Sequence, residues 1–328
     1  MAAVFITRTV PGDAAERLRD RGHTVTVWHG EAPPPADALA AALAANDAAL
    51  TMVADRISAA MLEAASRMRI VANMAVGYDN IDPAAAASVG VWVSNTPGVL
   101  AETTADFAWA LLMAAARNIV ASDRDTRAGG WKTWSPTAFL GPDVHGATLG
   151  IVGLGEIGQA MARRAAGFGM RVLSTSRSRK PDVEASLGCE HASLDDLLRA
   201  SDFVSLHTPL TAETRRLIGS RELSLMKRSA ILVNTSRGPV ADQEALVEAL
   251  RSGTIAGAAL DVTDPEPLPV DHALFSFANV IITPHIASAS FATRSRMASM
   301  AAGNILAVLE GREPPNAVNR PAAPRGLT

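Results

Sequence analysis

"GIVGLGEIG", residues 150–158, decides how this chain folds. Gly153, Gly155 and Gly158 stand in G-x-G-x-x-G spacing, a pattern too common to carry weight alone. Here an apolar strand-like run, "ATLGIV", leads into it and a helical run, "EIGQAMARRAAGFG", leads out. That is the context a dinucleotide-binding turn requires. Gly153 allows the tight turn, Gly155 lets backbone approach a pyrophosphate, and Gly158 lets helix and strand pack closely. The helix opening at Glu156 and Ile157 then turns its N-terminus toward the phosphates.

Outward from this turn, short β-branched runs alternate with helical patterns. "MRVLSTS", "FVSLH", "AILVNTS", "AGAALDV" and "VIITP" follow it; "AVFIT", "TVTVW", "AALTMV", "RIVANMAV" and "VWVSN" precede it. That rhythm predicts parallel strands joined by crossover helices, an α/β fold. With so much α/β sequence ahead of the nucleotide turn, two doubly wound parallel-sheet (Rossmann-like) domains are expected, with an active-site cleft between them. Pro97 and Gly98 precede "TPGVLAETTADFAWALLMAAARNIV", read as one long buried helix. The expected division is a discontinuous, flavodoxin-like substrate-binding domain over 1–98 plus 290–328, and an NAD(P)-binding Rossmann domain over 99–289. The Pro-rich end, "EPPNAVNRPAAPRGLT", is expected to be loosely ordered.

Composition narrows the class. The 328 residues are 48% hydrophobic and 19% charged, with a formal net charge of −3. Nothing here favours nucleic acid or an anionic membrane as a general partner. No stretch reaches the roughly 20 apolar residues needed to span a bilayer, and "MAAVFITRTVPGD" reads as a strand rather than a signal peptide. A soluble, cytoplasmic protein is expected. Cys189, the only cysteine, rules out an internal disulfide and fits a reducing compartment. It is read as a small, partly buried residue.

The strand after the nucleotide turn ends in "LSTSRSRK", residues 173–180. A carboxylate at its end would accept bonds from both ribose hydroxyls of NAD and would repel a 2′-phosphate. Ser176, Arg177, Ser178 and Arg179 stand there instead. A serine hydroxyl can donate to a phosphate and a guanidinium can grip one bidentately, with Arg179 and Lys180 adding positive field. The expectation is NADPH in preference to NADH, with NADH possible.

Three later segments each put a chemically suited residue after a strand: Arg237 in "VNTSRGPV", Asp261, Asp264 and Glu266 in "LDVTDPEPLP", and His285 in "ITPHIASAS". A carboxylate substrate calls for a bidentate cation. A carbonyl reduced by hydride calls for a proton donor titrating near neutrality, and a neighbouring carboxylate favours the protonated form of a histidine. In open α/β sheets such residues gather at the carboxyl ends of the strands.

Taken together, "ANMAVGYDNID", "GIVGLGEIGQAMARR", "LHTPLTAET", "MKRSAILVNTSRGPVAD", "ALDVTDPEPLP" and "PHIASAS" resemble the D-isomer-specific 2-hydroxyacid dehydrogenases, and "WKTWSP" with "SRSRK" their glyoxylate/hydroxypyruvate reductase branch. The resemblance implies reduction of glyoxylate or hydroxypyruvate to glycolate or D-glycerate. It puts the substrate-binding arginine at Arg237, the proton donor at His285 and its paired glutamate at Glu266. It puts the residue holding the nicotinamide amide at Asp261, and further cofactor contacts at Thr104, His207, Thr208, Pro209, Thr214, Thr235, Ser236 and Ala287. The substrate carboxylate would meet the amides of Val76 and Gly77, with Val53 alongside. Ala287 replaces a frequent glycine and "DHALF" lacks a frequent proline, so His272 is read as a surface or packing residue.

The same resemblance places "GGWKTWSP" at a dimer interface, with Trp134 lining the partner subunit's substrate pocket; otherwise the tryptophans pack on their own subunit. No metal is called for. Phosphoglycerate, D-lactate-type or phosphite oxidation are alternative activities, the first disfavoured because no regulatory domain follows residue 312. A non-catalytic NAD(P)-sensing corepressor is a further alternative, disfavoured by Arg237, Glu266 and His285.

Overall fold

In the computed structural model, which describes residues 1–326, β1 (Ala3–Ile6), β2 (Thr24–Val27), β3 (Ala48–Thr51), β4 (Ile70–Asn73) and β5 (Trp92–Ser94) form one parallel sheet in the order β2-β1-β3-β4-β5. Every residue of β3 and β4 is buried. Helices cover both faces of such a strand, and its sequence therefore reads as a continuous apolar run. β2, at the edge, alternates between exposed and half-buried. The helix Phe291–Leu309 packs on β3, β4 and the helix Ala14–Asp20. It buries Met297, Ala298, Ala301, Ala302 and Ile305.

The second sheet takes β6 (Thr148–Val152), β7 (Arg171–Thr175), β8 (Cys189–His191), β9 (Phe203–Leu206), β10 (Ile231–Asn234), β11 (Gly257–Leu260) and β12 (Val280–Ile282). Its order is β12-β11-β10-β9-β6-β7-β8, and every pairing is parallel. All seven carboxyl ends therefore lie along one edge. The strand order reverses between β6 and β9, which is where ligands bind in sheets of this kind. Contacts divide the chain into two compact units, Met1–Leu100 with the segment from Ala289 onward, and Ala101–Ser288. Among the described residues no helix is long and apolar enough to cross a membrane, and no His, Cys, Asp and Glu cluster could hold a metal ion.

Within the second unit, Arg164 ties the helix Ala101–Ala116 to the helix Glu156–Ala166. Its guanidinium donates to Glu102 Oε2 at 2.9 Å, to the Glu102 carbonyl at 3.0 Å and to Asp106 Oδ1 at 2.9 Å. Thr104 is buried in the helix so held.

Three expectations are corrected. The single long helix is two, Ala101–Ala116 and Ile119–Arg127. Asn118 takes a left-handed φ of 51° between them, and its side-chain amide donates to the carbonyls of Phe139 and Leu140 at 3.3 and 3.0 Å. Asparagine tolerates that conformation, and the local bonds compensate for the lost helical ones. Second, β8 is a strand that no apolar alternation announces; three residues at a sheet edge need none. Cys189 at its start is buried, and burial pushes its thiol up to about 11. Third, the Pro-rich end is held rather than loose among its described residues, Leu327 and Thr328 lying outside them. Asn319 accepts from the Val93 amide at 2.8 Å and donates to the Pro83 and Val91 carbonyls at 3.0 and 2.9 Å. Ala317 bridges to Ser94 in antiparallel sense. The tail thereby satisfies backbone groups at the open edge of β5.

Candidate active site

The glycine turn follows β6 at the reversal of strand order. Gly153 has φ +100°, and a Cβ there would come within 2.7 Å of the His207 carbonyl, at the end of β9. A Cβ on Gly158 would collide with the Gly153 carbonyl, so the helix Glu156–Ala166 sits against the turn only because residue 158 is glycine. Gly155 meets no atom within 4 Å, leaving open space before the helix N-terminus. Glu156 lies exposed in the first turn of that helix, while Ile157 packs inward.

The turn after β7 is more ordered than its composition suggests. The Ser176 hydroxyl donates to the Ser178 carbonyl at 2.8 Å. Arg179 donates through Nε to the buried carboxylate of Glu184 at 3.1 Å, and the Lys180 amide reaches the same carboxylate at 3.1 Å. The Lys180 ammonium donates to the Leu154 carbonyl, inside the glycine turn, at 3.1 Å. Arg177 is exposed and forms no ion pair among the described residues. Arg179, also exposed, already faces an acid, whereas Arg177 acts only at longer range on Glu213, whose carboxyl the Thr211 hydroxyl holds below its usual range with Arg177 a minor contributor. Glu184 escaped notice in the sequence, although its place in the first turn of the helix Pro181–Leu187 suits a carboxylate.

Along the same edge three buried polar atoms have no partner: Nδ1 of His207, and the hydroxyls of Thr208 and Thr235. Orphaned groups of this kind are rare in folded proteins and mark places where something else bonds. They follow β9 and β10, between the glycine turn and Arg237. With the open space at Gly155 they are groups that could hold a dinucleotide at these strand ends. Around them, Thr214 orders the loop after Pro209 by accepting from the Thr211 amide at 2.8 Å and donating to the Pro209 carbonyl at 2.6 Å. Ser236 donates to Asn234 Oδ1 at 2.8 Å.

Three neighbouring strands carry the candidate catalytic groups. Arg237 follows β10 in extended conformation, donating through Nη1 to the Ser236 carbonyl at 2.8 Å. Gly238 after it is packed so tightly on the Thr263 carbonyl that no Cβ would fit, which seats this turn against the loop leaving β11. Asp261 ends β11 and is 1% exposed. Its Oδ1 accepts from the Thr283 hydroxyl at 2.6 Å and the Ile286 amide at 2.9 Å; its Oδ2 accepts from the Ala287 amide at 2.8 Å. The loop after β12 is thus fastened on both sides of His285, which adopts φ 54° with its own amide on the Asp261 carbonyl at 2.9 Å. In that pose His285 Nδ1 lies 2.5 Å from Glu266 Oε1. His272, by contrast, sits beside Gln243 at 3.2 Å and caps its own short 3-10 helix, a packing role.

In the first unit, Val53 follows β3 and Val76–Gly77 follow β4. The amides of Val76 and Gly77 have no acceptor among the described residues. Asn73 and Asn80, silent in the sequence, hold this loop: Asn73 Nδ2 donates to the Gly77 carbonyl at 3.0 Å, and Asn80 Nδ2 to the carbonyls of Met52 and Asp55 at 3.1 and 2.9 Å. Trp131 and Trp134, in the second unit, are 71% and 80% exposed.

A glycine turn, an unpartnered polar row and an Arg, Glu and His set on neighbouring strand ends are the features expected of a nicotinamide-dependent oxidoreductase. The particular family follows from comparison with known proteins. Residues 109–287 match the model of the D-isomer specific 2-hydroxyacid dehydrogenase, NAD binding domain. The chain is 53% identical to a glyoxylate reductase of Korarchaeum cryptofilum over 97% of its own length and 96% of the relative's. A crystal structure of a protein from Thermus thermophilus superposes with a TM-score of 0.91 at 50% identity, covering 96% of this chain and 99% of that one. An NADPH-dependent glyoxylate/hydroxypyruvate reductase of Sinorhizobium meliloti, crystallised with NADP and malonate, gives 0.86 at 32% identity, with 98% of each chain covered. The chain belongs to the D-isomer specific 2-hydroxyacid dehydrogenase family.

The His207 imidazole is pushed down from 6.5 to about 4 by burial. Its Nε2 pairs with the buried Ser205 hydroxyl at 2.8 Å, and no carboxylate offsets the desolvation. The folded state holds it neutral while the unfolded state binds a proton below 6.5, so stability falls as pH drops from 6.5 toward 4, by about 3 kcal/mol at most. His207→Gln should therefore flatten the dependence of Tm on pH between 7 and 5. Parallel wild-type and variant curves in thermal unfolding would contradict the assignment.

Proposed function

We propose that this protein reduces small 2-oxoacids, glyoxylate and hydroxypyruvate, to glycolate and D-glycerate, preferring NADPH to NADH. The observation that carries this reading is the 2.5 Å contact of His285 Nδ1 with Glu266, two strand ends from Arg237. A bound reduced nicotinamide supplies hydride to the keto carbon. Arg237 clamps the substrate carboxylate in its planar fork and polarises the carbonyl. Glu266 occupies Nδ1 of His285 and fixes the ring, so that the proton for the developing alkoxide leaves from Nε2. The open amides of Val76 and Gly77, beside Val53, suit a carboxylate oxygen. Gly153, Gly155 and Gly158 with Glu156 and Ile157 would hold the pyrophosphate. His207, Thr208, Thr235 and Ser236 would line its path, with Thr104, Pro209, Thr214 and Ala287 around it. The carboxylate of Asp261 keeps acceptor capacity on Oδ2 for the nicotinamide amide. The names of the relatives, glyoxylate reductases at about half identity over nearly the full chain, support the substrate class.

His285→Ala should lower kcat for glyoxylate on the order of 10²- to 10⁴-fold while the Kd of NADPH stays unchanged, since a general acid acts only on the reacting oxygen. Retained turnover in a stopped-flow assay would remove His285 from the chemistry.

Cofactor choice rests on the absence of an acid after β7 and on the solvent-facing guanidinium of Arg177. Arg177→Ala should raise KM for NADPH by roughly tenfold to a hundredfold, the weight of one charge-assisted contact, and leave KM for NADH nearly unchanged. Equal losses with both would end the NADPH reading.

Residues 128–141 are exposed throughout and include Trp131, Trp134, Phe139 and Leu140. An apolar stretch of this kind calls for a cover, and a second copy of this chain, with Trp134 reaching its partner's substrate pocket, supplies one. The protein should sediment as a homodimer at micromolar concentration. Trp134→Ala should then accept bulkier 2-oxoacids at the expense of glyoxylate. A fully active monomer would overturn this arrangement.

A further inference from the structure

The segment that carries Glu266 has little of its own to hold it in place. Asp264, Pro265, Glu266 and Pro267 are all exposed and belong to no helix or strand. Two of the four are prolines and lack an amide hydrogen, so Asp264 and Glu266 hold its only backbone donors. The Glu266 side chain is 42% exposed, so packing does not fix it either. Yet its Oε1 stands 2.5 Å from His285 Nδ1.

The segment is tied instead to Gln243. The side-chain Oε1 of Gln243 accepts from the Asp264 amide at 3.0 Å, and its Nε2 donates to the Asp264 carbonyl at 2.6 Å. One carboxamide thus engages both backbone groups of one residue, and turning it over would set like against like. Beside it stands His272, whose Nε2 lies 3.2 Å from the same Nε2 of Gln243. Gln243 opens the helix Gln243–Arg251, whose N-cap Asp242 accepts from the Ala245 amide and which buries Leu246, Ala249 and Leu250. The clamp is therefore mounted on a packed element. The Thr263 hydroxyl adds one further bond, to the Pro265 carbonyl at 2.8 Å.

We propose that Gln243 is a positioning residue for the acid pair: its carboxamide fixes Asp264 and, through it, the place of Glu266 beside His285. The proposal rests on the reading of Glu266 and His285 as the pair that delivers the proton, and adds the group that aligns them. Gln243 touches neither side chain, so its effect on the reaction must pass through Glu266.

That dependence is what a double-mutant cycle on steady-state glyoxylate reduction measures. Gln243→Met, which keeps the length of the side chain, should lower kcat about tenfold to a hundredfold and leave KM for glyoxylate within about twofold, because Arg237 and not Glu266 grips the substrate. Gln243→Ala should do the same. In a Glu266→Ala background, where no carboxylate remains to be placed, Gln243→Met should cost nothing further. A kcat loss of the same size in both backgrounds, or no loss in either, overturns the proposal and leaves the acid pair standing. Loss of folded protein with both Gln243 variants overturns it too, since the clamp then serves the fold. If Glu266→Ala alone keeps the wild-type kcat, the acid-pair reading fails and this proposal with it.

Discussion

Three donors converge on the buried carboxylate of Asp261: the Thr283 hydroxyl and the amides of Ile286 and Ala287. Leaving a buried donor or acceptor unpaired costs about 1–3 kcal/mol, and more for a charged group. Against this, the left-handed φ of His285 costs roughly 1–2 kcal/mol. The grip wins, and the histidine is held in a backbone pose it would not choose alone. From that pose its Nδ1 meets Glu266, so the orientation of this pair follows from the Asp261 carboxylate, which grips the loop that carries His285.

A similar constraint governs the sheet edge. Gly153 lies against the His207 carbonyl, and Gly238 against that of Thr263. At both places a missing Cβ lets neighbouring loops close on each other, which keeps the row from Gly153 to His285 continuous. The unpartnered polar atoms of His207, Thr208 and Thr235 lie within this row.

Charge in the adenosine turn is likewise allocated by position rather than by number. Burial opposes ionisation of Glu184, but the Lys180 amide and Arg179 outweigh it and hold the carboxyl below its usual range. That one acid gives Arg179 an ion-pair partner that Arg177, two residues away, does not have.

The amino-acid sequence by itself determined the class of fold and the family. Its strands announce themselves as apolar runs, its glycine turn by spacing and context, and Arg237, Glu266 and His285 by following strands that a parallel sheet brings to one edge. These signals are local, or depend only on strand direction, and so survive in one dimension. The break at Asn118, the edge strand at Cys189 and the docking of the tail through Asn319 are not local: each exists because a distant segment supplies or needs a hydrogen bond. The roles of Lys180, Arg179 and Arg177 were indistinguishable in "SRSRK" for the same reason. Only the tertiary structure brought Glu184 to one cation and the Leu154 carbonyl to another.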